Sequence, residues 1–340
     1  MDQVSAQTDV ASSTQTRITD LFSRAEIEQL TRRSDWVGGW AVASTWVVIG
    51  LTFAVVASLT PLLPWWGDGL LCALALIILA GRQLALGILT HDAAHRSLFK
   101  TAWMNDHLVD WLCARPVWNN LQHYRPYHLR HHAKTSTPDD PDLSLVAGLP
   151  TSRASLARKF LRDISGITGL KFVLGRVLMD AQVLQWSVTN DVQRLDQTGR
   201  PWWDYPLSFG KHFLPTLLTN LVLWSVLAWF GHAWVYGLWV LAYLTPFPLF
   251  IRVRSMAEHA ATESCRDVLR NTRTTQAGWI ARALVAPIHV NFHIEHHLMA
   301  SVPYVHLPKM HQMLRERELV PIPPTYLEVF RLMSSKAESL

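Results

Sequence analysis

The chain has 340 residues, of which 17% are charged and 49% hydrophobic, with 16 tryptophans, 16 histidines and a formal net charge of +5. An ordinary soluble chain carries about 25% charged residues, and this composition excludes a disordered, collagen-like or coiled-coil chain. No Lys/Arg run accompanies the positive charge, which argues against a nucleic-acid partner, and three cysteines (Cys72, Cys113, Cys265), none in a CxxC pair, exclude a disulfide framework.

Residues 1–35 form a polar lead-in. Met1–Thr16 has no apolar h-region and is expected to be a disordered entry segment, not a cleavable signal. Ser23 followed by Glu26 is a capping-box signature, predicting a short amphipathic helix to about Arg33. Four apolar stretches follow, at about 36–59, 69–89, 213–230 and 234–251. A spanning helix needs about 20 residues, so each is a candidate, and too little amphipathic periodicity interrupts them for buried helices of a soluble protein. Arg82 is the one charge inside them; it is expected to snorkel or to lie where the helix nears the surface.

The spans pair into two hairpins whose short turns contain no Lys or Arg, whereas Arg32, Arg33, Arg96, Lys211, Arg252 and Arg254 flank the other ends. The positive-inside rule then puts both termini and the segments 91–211 and 252–340 on the cytoplasmic side, as in a bacterial inner membrane. The expected fold is all-α: a stem of four transmembrane helices under a cytoplasmic helical cap, with residues 36–340 as one domain. Between Thr151 and Met179 apolar residues recur at helical spacing with Arg and Lys between them, predicting a helix along the membrane surface or packed on the cap.

Three clusters hold eight of the 16 histidines: His91 and His95 as HxxxH, His128, His131 and His132 as HxxHH, and His293, His296 and His297 as HxxHH. Positions i, i+3 and i+4 share one helix face, so each cluster can aim its imidazoles at one point. Chance yields roughly 0.035 HxxHH matches at this histidine frequency; two occur. One isolated histidine would read as a structural residue, but eight in register on one predicted side of the membrane read as metal ligands. His259, just beyond the fourth span, is a ninth candidate. His107, His123, His212, His232, His289, His306 and His311 are expected to be hydrogen-bonding or surface residues.

Eight or nine imidazoles exceed the four ligands of a zinc site and suit two ions, with iron, zinc or copper compatible with all-nitrogen ligation. No HExxH occurs, and the inverted HxxEH fails at His259 because position 255 is Ser. Asp92, Glu258 and Glu295 stand beside the histidines and could each accept an N–H from a ligating ring, fixing its tautomer.

These boxes resemble the integral-membrane fatty acid desaturase and hydroxylase superfamily, as do Asp140-Pro-Asp-Leu143 after the second box, Arg254 with Glu258-His259, and Val302-Pro with Leu307-Pro after the third. The resemblance runs from about Phe22 to Met313. It implies two non-haem irons held by the nine histidines, with Asp92, Asp140, Arg254, Glu258 and Glu295 in support. It also implies O₂ as co-substrate, a lipid or acyl substrate, and electrons from a separate ferredoxin or cytochrome. Removal of two hydrogens from an acyl chain gives a double bond, and oxygen insertion gives an alcohol. The three-residue spacing in the first box favours the acyl-lipid branch. A hydroxylase or ketolase acting on a lipid or carotenoid shares similar boxes. A metal-binding transporter or receptor would place ionisable residues mid-span, where only Arg82 lies.

Overall fold

A computed structural model describes residues 17–189 and 191–335; the Met1–Thr16 segment lies outside them. Among these residues the chain is helical, with isolated β-bridges and no strand. Twelve helices carry the argument: α1 (Arg24–Leu30), α2 (Asp35–Leu59), α3 (Trp65–Ala94), α4 (Leu121–Lys134), α5 (Arg153–Ile164), α6 (Ile167–Asp180), α7 (Asp204–Trp229), α8 (Tyr236–Leu244), α9 (Pro246–His259), α10 (His293–Leu298), α11 (Leu307–Glu316) and α12 (Tyr326–Met333).

The capping box forms: Ser23 N donates to Glu26 Oε2 at 2.7 Å, and Glu26 N donates to Ser23 Oγ at 3.3 Å. The helix it starts is shorter than expected, ending at Leu30 with Thr31 as its cap. Phe22 and Leu30 pack with Ile294, Leu298, Met310 and Leu314, so the amino-terminal segment braces α10 and α11.

Four stretches of helix are long and apolar enough to cross a membrane: α2, α3, α7 and the α8–α9 segment. Without water to bond their backbones, such runs must satisfy every N–H and C=O internally. Three of the helices exceed the apolar cores seen in the sequence, because polar residues at their ends continue the same hydrogen-bonded ladder. The excess is greatest in α3, whose 30 residues extend about 45 Å at 1.5 Å per residue. That is longer than a hydrocarbon core of about 30 Å, and its last turn, with His91 and Asp92, lies past the apolar run. Leu79, Leu86, Ile88 and Leu89 of α3 are fully buried against Ile49 of α2 and Trp239 of α8. Its one buried amide, Gln83, donates Nε2–H to Trp239 O at 2.8 Å. By contrast α7 buries only Thr216 and turns Leu214, Leu221, Val222 and Trp229 outward, as a lipid-facing helix would.

The fourth span is broken. Thr245 sits at φ −114°, ψ −79° between α8 and α9, where Pro246, lacking an N–H, cannot continue the hydrogen-bonded ladder of α8. Thr245 Oγ1 donates to Leu241 O at 2.6 Å across the break. The new direction of α9 carries Arg254, Glu258 and His259 toward the histidine boxes.

One expectation needs correction. The helix expected over 151–179 is two helices, α5 and α6, parted at Gly166, whose φ of +86° lies where L side chains are strained. The break lets Gly169 reach the Thr245 kink: a Cβ there would fall 2.2 Å from Leu244 O. Arg82 is half-buried. Its guanidinium donates to Ala283 O, because the short helix Trp279–Leu284 descends beside α3.

Candidate metal centre

Each box is held by a different local device. His91 lies in the last turn of α3 and His95 caps its end, so the pair sits where the long helix overshoots its apolar part. Asn120 caps α4, its Oδ1 accepting from Gln122 N at 2.9 Å and His123 N at 3.3 Å, the geometry favoured at an N-cap. His128, His131 and His132 follow on one face. The six residues of α10 are all buried, anchored by Thr274, which accepts from Ile294 N at 3.1 Å and donates to Glu295 Oε2 at 2.6 Å. His259 is the final residue of α9.

These nine histidines converge. Ring nitrogens of His91, His95, His128, His132 and His296 lie within 4.8 Å of one another. A second group joins His131, His259 and His297, and a third joins Glu258, His259 and His293. His132 Nε2 is 3.0 Å from both His128 Nε2 and His296 Nε2, and its ring stacks on His297 at 4.1 Å between centroids. His132 therefore bridges the two halves of one centre.

The donor set fits metal. The His91, His95 and His297 Nε2 atoms and His293 Nδ1 are buried without a hydrogen-bond partner among the described residues. Each such atom costs about 1–3 kcal/mol if left unsatisfied, and three unpartnered Nε2 atoms among clustered rings are what ligands would leave, while His293 meets His259 through its Nε2. Their neighbours fix ring orientation. His91 Nδ1 lies 2.9 Å from Asp92 Oδ1, His131 Nδ1 lies 2.7 Å from Asp140 Oδ1, and Thr135 Oγ1 lies 3.3 Å from His297 Nδ1. Arg254 Nε donates to Glu258 Oε1 at 2.8 Å, leaving Oε2 3.7 Å from His293 Nε2.

Electrostatics keep most rings neutral and so able to ligate. Burial holds His95 down at about 4, helped by the nearby His131 and Arg125 cations. Burial likewise pulls His128, His132, His293, His296 and His297 well below the ordinary imidazole value. His131 alone is raised: burial opposes its charge, but the bond to Asp140 and the charges of Asp142 and Asp140 outweigh it.

Glu295 departs from expectation. Its carboxylate receives Thr274 Oγ1–H and lies 2.7 Å from His311 Nδ1, so it touches no ring of the three boxes. A residue two positions past His293 points away from that histidine on a helix, which explains the difference. His311, expected to be a hydrogen-bonding or surface residue, fastens this buried carboxylate under the third box. His212, His289 and His306 make backbone contacts, with Ser208 O, Tyr304 O and Arg32 O. Sequence reasoning missed Tyr124, which stacks on His128 with centroids 5.1 Å apart. Its position one turn before His128 was the available signal.

A cavity of about 360 Å³ opens against this centre, bounded by His128, His131, His259, His293 and Glu258 at the metal-facing wall. Leu84, Ile88, Phe172, Leu184 and Phe247 make its apolar sides.

A fatty acid desaturase family model matches residues 64–329. The chain belongs to the fatty acid desaturase family. The matched region runs from the start of α3 into α12 and includes all three boxes and His259. Dihydrorhizobitoxine desaturase of Bradyrhizobium elkanii is 24% identical over 290 residues, 83% of this chain and 77% of that protein. An sn-1 oleoyl-lipid 12-desaturase of Anabaena variabilis is 22% identical over 321 residues, 90% of this chain and 83% of its own. Membership in the desaturase family makes this a membrane-associated oxidoreductase and accounts for a histidine-rich centre above apolar helices.

Proposed function

We propose that this desaturase family member uses two irons and O₂ to introduce a double bond into a fatty acyl chain. The observation that carries the reading is the convergence of nine imidazoles, six buried and three half-buried, with His128, His131, His259 and His293 on the wall of a largely apolar cavity. His91, His95, His128, His132 and His296 would hold one ion, and His131, His259, His293 and His297 the other, with Glu258 within reach of the second. When bound, two irons supply activation of O₂ and removal of hydrogen from an unactivated carbon.

The chain's own residues do the rest. Asp92 and Asp140 hold His91 and His131 in the tautomer that leaves Nε2 free for metal. Arg254 neutralises Glu258 inside the buried site. The apolar cavity walls exclude water and set one methylene beside the ions. In balance, O₂ takes two hydrogens from the acyl chain and two electrons and two protons from outside, giving a double bond and two waters. The outside electrons require a separate donor of the ferredoxin or cytochrome type. The basic flanks of the spans support a cytoplasmic centre with both termini on that side.

An acyl-lipid substrate is favoured by the cavity's aliphatic lining and by the oleoyl lipid named for the Anabaena relative. The test is lipid profiling of a host expressing the protein or its His131→Ala variant, with iron analysis of both. A new double bond that disappears with His131, together with two irons per chain, is the expected result. A new hydroxyl or ketone, or zinc in place of iron, overturns it.

A further inference from the structure

The cavity has a charged end that the metal chemistry does not use. Among its lining residues Glu258 is paired with Arg254, and Asp142 accepts the Tyr127 hydroxyl at 2.6 Å. Lys171 and Arg176, both on α6, line the same cavity and have no carboxylate within ion-pair distance among the described residues. Asp180, one turn beyond Arg176, is occupied by the Trp118 indole N–H at 2.9 Å. Arg176 is half-buried and Lys171 is exposed at the rim, and a cation in a partly buried wall is costly unless an anion meets it.

An aromatic wall ties this end to the metal. Tyr124 stacks on His128 at 5.1 Å, Trp186 meets Tyr124 edge-on at 6.0 Å, and the Arg176 guanidinium lies over Trp186 at 5.0 Å. The wall therefore sets a fixed span between His128 and Arg176. Lys171 and Leu174 are exposed and also line the cavity, so it opens to the outside between them. Around that opening Leu161, Ile164, Ile167, Leu170 and Leu174 all face outward, beside the exposed cations Arg158, Arg162 and Lys171. An apolar stripe bordered by cations belongs at the headgroup level of a bilayer.

We propose that Arg176, assisted by Lys171, binds the anionic head of the substrate at the mouth of the cavity, so that the reacting carbon is measured from that head. This rests on the acyl-chain reading above and narrows it to an oxyanion-bearing acyl lipid, either a phosphodiester or a free carboxylate. Arginine suits both through its planar donor pairs.

The test is equilibrium binding of radiolabelled dioleoyl phosphatidylglycerol, oleate and dioleoyl phosphatidylcholine to the full chain in neutral detergent. The unaltered protein should prefer at least one of the two anions to the zwitterionic lipid, and the tighter of the two names the source. Arg176→Gln should weaken that anion about 10-fold or more, the scale of a charged hydrogen bond, and leave phosphatidylcholine unchanged. Arg176→Lys should recover part of the loss, and the charge-matched control Arg158→Gln, outside the cavity, should show none. Equal binding of all three lipids, or anion binding untouched by Arg176→Gln, overturns the proposal. The two readings fail separately. Anion binding without any double bond sinks the desaturation reading alone, whereas double bonds formed equally in both phospholipids sink this one alone.

Discussion

His259 Nε2 lies 2.8 Å from His293 Nε2, although the two residues are 34 positions apart and belong to different helices. No box motif contains His259. The Thr245 break aims α9 so that its last residue completes the group formed with His293 and His297.

His259→Ala should lose about one iron per chain and most turnover while the protein still reaches the membrane. His232→Ala, in the turn before α8, should keep both. Metal analysis with a turnover assay reads the difference, and full iron in His259→Ala would leave eight histidine ligands. Loss of a ligand outweighs loss of its support, for which about 10–100-fold is usual.

Asp140→Asn tests the support directly. Its Oδ1 meets His131 Nδ1 and also accepts from Asp142 N at 2.9 Å, while its Oδ2 accepts from Ser136 N at 3.0 Å, so an amide of equal size keeps one acceptor oxygen but removes the other and the charge that holds the ring. Iron affinity should fall by about 10–100-fold, with a loss of about 1–3 kcal/mol in stability for the backbone N–H left without its acceptor. An unchanged affinity would show that His131 needs no carboxylate to hold its tautomer.

Metal-stripped protein should be acid-labile. His95, held at about 4, and five other lowered rings are neutral when folded, whereas in the unfolded chain they titrate near 6.5. Between about pH 6.5 and 4 the unfolded chain binds more protons, so stability falls as pH drops through that window. His131 has the opposite sign: its contribution is full below its unfolded value and is lost as pH rises through its raised folded value. One ring against six leaves net loss in acid. Thermal unfolding midpoints of the stripped protein at about pH 7 and pH 5.5 should differ, and iron loading should shrink the gap, because metal holds the rings deprotonated.

Gly169→Ala should separate α6 from the Thr245 kink, since the added Cβ would meet Leu244 O at 2.2 Å. A destabilisation of about 1–3 kcal/mol is expected for such overpacking, read as a lowered unfolding temperature in detergent. Gly175→Ala on the same helix meets nothing within 4 Å and serves as the control.

What could be read from sequence followed the range of the physics involved. The three boxes were visible because ligand spacing within one helix is local, and the four apolar runs because a bilayer demands about 20 residues at a stretch. His259 was found through its distance beyond a span. Partners set by tertiary contact were not visible: Arg82 meets Ala283, 201 residues away, and Glu295 turns to His311 instead of a box histidine. The parting of α5 from α6 was hidden too, because amphipathic periodicity runs straight through Gly166. The turn at Gly166 brings Gly169 against Leu244, a contact between distant segments that no local pattern announces.

The two sides of the centre differ mechanically. His91 and His95 end an unbroken rod of about 45 Å that starts at the opposite face of the membrane, while His259 ends a short segment hinged at Pro246. One degree of tilt of that rod sweeps its far end by about 0.8 Å, a large fraction of a metal–ligand bond. A helix tilts to match the thickness of its bilayer, so the placing of His91 and His95 would follow membrane thickness, whereas His259 stands on a separate segment beyond the Pro246 break.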